Sequence, residues 1–102
     1  MAIQSTALTT GNTTVYTSAG NSVVTTMYFC NTSNTSTINF TLYAVPSGSV
    51  ASLTNMIYNS VLITATDTYV IDTEKLLLSA GDSLVVGTTV AGLSVTLSYM
   101  SI

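Results

Sequence analysis

Residues 93–99 alternate without a fault. Leu93, Val95, Leu97 and Tyr99 are apolar, and Ser94, Thr96 and Ser98 between them carry hydroxyls. A period of two is the strand period, because successive side chains leave a pleated backbone on opposite faces. The segment therefore predicts a strand with one apolar and one hydroxyl face. The same period recurs at 38–45, where Ile38, Phe40, Leu42 and Ala44 oppose Asn39, Thr41, Tyr43 and Val45. Pro46-Ser47-Gly48 ends that strand, since Pro removes a ladder donor and Gly permits a turn.

Further strands are expected along the rest of the chain. Residues 23–30 place Val23, Thr25, Met27 and Phe29 against Val24, Thr26, Tyr28 and Cys30. Bulk on both sides predicts an interior strand covered on both faces. In 56–64, Ile57, Val61 and Ile63 are assigned to one side and Tyr58 and Leu62 to the other. Short strands are expected at 68–71, 75–78 and 84–86, with weaker candidates at 3–9 and 13–17. Turn chemistry separates them: Gly11-Asn12, Gly20-Asn21, the run 31–36, Asp72-Thr73-Glu74, Ser79 to Ser83 around Gly81, and Val90-Ala91-Gly92. Residues 47–54 read as a loop. About eight short strands with turns every 8–12 residues predict an all-β fold, a sandwich, jelly roll or small barrel, with an antiparallel β-sandwich or jelly-roll-like arrangement preferred. Residues 1–102 form one domain on this reading, with 1–12 either joining a sheet or extending as an arm.

Composition then restricts function. Only 5% of residues are charged, against about 25% in an ordinary soluble domain. Hydroxyls and amides take their place, as 20 Thr, 14 Ser and 7 Asn. Lys75 is the one cation, and the net charge is −3. Nucleic-acid binding needs Lys or Arg to displace counterions, so no nucleic-acid partner is expected. Anionic membranes are excluded as partners for the same reason. No apolar run approaches the roughly 20 residues of a membrane helix. The first residues, Met1-Ala-Ile-Gln-Ser, show no basic or apolar signal segment, so synthesis in a cytoplasm is expected.

Catalytic chemistry finds little to use. The chain has no His, so Ser–His and Cys–His nucleophile pairs are absent. Cys30 stands alone and is expected to pack as a small buried apolar residue. The acids Asp67, Asp72, Glu74 and Asp82 all fall, with Lys75, within 67–82. They suggest either a calcium site or solvated turn residues, and turns are the better reading because Asp is favoured there. No enzymatic activity, catalytic residue, metal or cofactor is expected. Asn12, Asn31, Asn34 and Asn39 each head an N-glycosylation triplet, a pattern that a chain rich in Thr, Ser and Asn produces by chance. Tyr58 and Tyr69 are candidates to meet glycan from loops, although packing is the commoner role of such rings.

A sandwich has exposed sheet edges, which monomers protect with charge, Pro, bulges or shortness. With one Lys and one Pro, this chain is expected to cover its edges with copies of itself.

Several segments carry a resemblance: Val15-Tyr16-Thr17, Met27-Tyr-Phe-Cys-Asn-Thr-Ser, Phe40-Thr-Leu-Tyr-Ala-Val-Pro-Ser-Gly, Asp67-Thr, and Leu76-Leu-Leu-Ser-Ala-Gly-Asp-Ser-Leu-Val-Val. Over roughly 13–98 the chain resembles small β-sandwich virion proteins of tailed bacteriophages, including those of cyanophages. The resemblance implies a capsid decoration, or cement, protein on the virion surface. Its implied partners are itself, as a homotrimer, and the major capsid protein. A receptor-binding or fibre-tip module, or another tail or neck component, is the alternative. Fibre-type relatives carry a shaft that is missing here, which favours the decoration role.

Overall fold

A computed structural model describes residues 2–72 and 75–102. Nine strands are present among them: β1 (Ala2–Ala7), β2 (Gly11–Thr17), β3 (Ser22–Asn31), β4 (Ile38–Val45), β5 (Met56–Ile63), β6 (Thr68–Ile71), β7 (Leu76–Leu78), β8 (Ser83–Thr88) and β9 (Leu93–Ser101). A short 3₁₀ turn, Leu53–Asn55, precedes β5. Residues 2–7, which the sequence leaves open between strand and arm, form β1 along β9.

The strands form two antiparallel sheets. One has the order β1-β9-β3-β6, with β7 also on β3, and the other β2-β8-β4-β5. β6 and β7 pair with successive parts of β3, so they act as two halves of one interrupted strand. Counted that way, eight strands lie in the orders 1-8-3-6 and 2-7-4-5, the connectivity of a jelly roll.

Inward side chains of both sheets meet in one core. Phe29 of β3 stacks on Phe40 of β4 with ring centroids 4.0 Å apart and planes 8° from parallel. Leu84, Val86, Val95, Leu97, Ile38 and Leu42 surround the pair and are buried. Among the described residues, every buried side-chain polar atom has a hydrogen-bond partner. Asn31, only 1% exposed, ties the two sheets at one end. Its Nδ2 donates to the carbonyls of Ser36 at 2.8 Å and Ile63 at 3.0 Å, and its Oδ1 accepts from the Ser33 amide at 3.0 Å. Burial of this side chain also removes Asn31 from the glycosylation candidates. At the other end Tyr16, Ser18 and Ser22 form a buried hydroxyl cluster.

Three expectations change, two of them through inserted residues. A bulge between Val24 and Thr26 shifts the parity of β3, so Val24, Met27 and Phe29 all face the core. β3 is thus interior to its sheet but covered on one face only, and Tyr28 on the other face is exposed. In β5, register shifts opposite Thr41 and between Tyr58 and Met56 place Tyr58, Val61 and Ile63 inward. Ile57 and Leu62 face out, so Tyr58 shares the side of Val61 and Ile63 instead of that of Leu62, and Ile57 parts from Val61 and Ile63. A single added residue exchanges the faces of a strand, which is why period alone misplaces them. Cys30 is also only half-buried, on the outer face of β3, and does not belong to the core.

Candidate functional site

The acidic segment is dispersed by the fold. Asp67 accepts the Thr68 amide beside the Asn31 end of β3, since the Asn31 amide donates to the Asp67 carbonyl. Asp82 lies at the opposite end, where its carbonyl accepts the Ser18 amide just before β3 begins. A ten-residue strand separates the two, about 30 Å of rise. No group of three or more Cys, Asp or Glu converges among the described residues. Thr73 and Glu74 lie outside the described residues. Lys75 donates to the backbone carbonyl of Asp72 at 2.6 Å.

Asp82 braces two loops. Its Oδ2 accepts the Ser79 amide and its Oδ1 the Ser47 amide, both at 2.9 Å. These backbone bonds, Ser79's first, hold its carboxyl below the usual aspartate range. Gly81 beside it has φ +87°, and a Cβ there would meet Ser47 Oγ at 2.5 Å. The turn thus needs glycine both for its backbone angle and for room.

Tyr58 and Tyr69 are not loop residues. They lie in β5 and β6 and pack against the core, edge to face with centroids 6.3 Å apart. Both rings take the packing role that is the commoner one for such residues. Beside them is a largely apolar hollow of about 220 Å³ lined by residues of both sheets, among them Val24, Met27, Leu42, Tyr58 and Leu76, with Lys75.

The surface presents edges, outer faces and loops. The four sheet edges differ. β2 carries a bulge between Thr14 and Tyr16, which turns Val15 and Tyr16 both inward. β5 has two register shifts and the positive-φ residue Ser60, at +53°. β6 and β7 are only four and three residues long. Each of these devices discourages pairing with another chain. β1 has none. Its six residues keep continuous register with β9, from Ala2 opposite Tyr99 to Ala7 opposite Ser94. They contain no charge and no Pro.

The outer face beside β1 is hydroxyl-rich. Ser5 and Thr96 share a hydrogen bond of 3.1 Å, and Ser94 and Ser98 flank Thr96. Ile3 and Leu77 stand on this face at 73% exposure each, and the cross-strand partners Tyr28 and Val70 are exposed as well. The loop after β4 adds Val50 and Leu53, also exposed. It is held by Asn55, whose side chain accepts from the Ser52 amide and donates to the Val50 carbonyl.

An all-β jelly roll of this kind is a scaffold class found in viral shells, lectins and cupins alike. No known protein family, curated protein or solved structure matches the chain.

Proposed function

We propose that this protein is a virion structural subunit, a capsid decoration protein that associates with copies of itself, as a trimer, and with the major capsid protein beneath. The observation that carries this reading is β1: an edge strand with continuous register, no bulge, no Pro and no charge, in a chain with 5% charged residues. Such an edge presents unpaired amides and carbonyls to a neighbour. A strand or loop laid along it supplies main-chain hydrogen bonds, and exposed side chains such as Ile3 supply apolar contact. Val50 and Leu53 give the post-β4 loop a second apolar contact. The resemblance to phage virion proteins supplies the setting, and the jelly roll is compatible with it. A bound subunit adds its binding free energy to the intact shell, which therefore resists heat and internal pressure.

Purified particles with and without the subunit test the reading. The account expects many copies per particle and rupture at lower temperature when the subunit is missing. Equal rupture temperatures, or a copy number as low as a fibre tip's, would overturn it.

A further inference from the structure

We propose that the outer face of the four-stranded sheet holds a second site, for a neutral saccharide, in the hollow over Gly87. One row of residues crosses all four strands there. Asn12 of β2 lies opposite Gly87 of β8, Gly87 lies opposite Thr41 of β4, and the Ser60 amide of β5 donates to Thr41 Oγ1 at 3.2 Å. Gly87 leaves a gap in the middle of this row. The gap opens into a depression of about 220 Å³ lined by Asn12, Asn39, Thr41, Tyr43, Ser60 and the Thr88–Thr89 end of β8.

Gly87 calls for an explanation. Glycine weakens a strand interior, and where it occurs it marks a bulge, a bend or a close approach. β8 keeps its register through Gly87 on both sides, and its φ is not positive. Close approach remains. A Cβ at this position would stand 2.5 Å from Asn12 Oδ1 and 3.8 Å from Tyr43 Cε1, so the Asn12 amide lies close against the glycine and the ring stands beside it. Beside it, β5 holds Ser60 in the left-handed region, a conformation that costs energy for any residue but glycine. Bulges of this kind gather next to functional sites, where they re-aim a side chain.

The lining fixes the ligand class. It contains no charged side chain, so an ionic ligand would lose hydration without gaining a partner. Asn12 and Asn39 each offer a donor and an acceptor, the pairing that adjacent sugar hydroxyls complement. Neither amide, nor the Tyr43 hydroxyl, is engaged by another described residue. Thr41 Oγ1 accepts from Ser60 and keeps its own proton to donate. The Tyr43 ring supplies an apolar wall for the C–H face of a sugar. The volume is below the ~300 Å³ at which drug-sized sites begin, which suits one terminal ring. The site lies on the sheet opposite to β1's.

A glycan array probed with the full chain tests the site, alongside Gly87→Ala and Asn39→Ala. The methyl of Gly87→Ala displaces only the tip of the exposed Asn12 side chain, so the fold is retained, and a thermal melt checks this. The expected result is binding to glycans with uncharged terminal sugars, weakened about tenfold or more by each variant, which corresponds to about 1.4 kcal/mol. Absence of binding to any glycan, preference for acidic termini, or binding untouched by both variants would overturn the proposal. A change in subunit mass is not expected from either variant, so failure here is distinct from failure of the assembly reading.

Discussion

The two sheets share a core and differ at their borders. The five-stranded sheet ends on β1, a regular, uncharged strand, and shows a flat hydroxyl face with isolated apolar residues. The four-stranded sheet ends on bulged strands at both edges, β2 and β5, and its outer face is interrupted at Gly87. On the proposed reading one sheet is continued by a neighbour, whereas bulges discourage pairing at both edges of the other. The lesson is that low charge alone does not make a surface adhesive. Backbone regularity decides which border of an uncharged sandwich accepts another chain.

The largest effect tests the shared part. Phe40→Ala removes one ring of the stack that joins the sheets, and is expected to cost about 3–5 kcal/mol in denaturant unfolding. A loss well under that range would mean that the sheets are less coupled than their packing implies. Asn31→Ala cuts the polar tie between the end of β3 and the Ile63 carbonyl of β5. Stranding these buried partners is expected to cost about 2–3 kcal/mol in the same assay.

Smaller effects address the borders. Ser60→Gly relieves the left-handed residue in the β5 bulge and is expected to stabilise by about 0.5–1 kcal/mol, with no change in subunit mass. A destabilised variant would show that the Ser60 side chain supports the edge. Asp82 sets a pH dependence. Its folded-state pKa is lowered, so its stabilising effect is complete above the unfolded aspartate value of about 3.9. That effect is lost as pH falls through the folded value. Thermal melts from pH 6 to pH 2 are expected to show an acid-side loss that is reduced in Asp82→Asn.

Much of the fold is legible in the sequence wherever the period runs unbroken. β4 and β9 have the faces that their alternation assigns, because no residue is inserted in either against the core. β2, β3 and β5 each carry an insertion, and from that point alternation predicts the wrong face. Tyr58 shows the consequence: alternation sets it with Leu62, yet it packs inward with Val61 and Ile63 and meets Tyr69. Asn31 reads as one more turn residue in a Thr/Ser/Asn run, although its side chain is buried and triply bonded. The hollow at Gly87 is not legible, since its row joins residues 12, 87, 41 and 60 across four strands. A glycine inside a run of β-branched residues, Val85-Val86-Gly87-Thr88, was the one available sign.

Light scattering on the chromatographed protein at micromolar concentration, compared with Ile3→Lys, tests most directly whether β1 is an edge meant for a neighbour. The account predicts about three times the 10.6 kDa of one chain for the parent, falling toward a single chain when the charge is placed on β1. A parent that elutes as a 10.6 kDa monomer, or an assembly indifferent to Ile3→Lys, would contradict it.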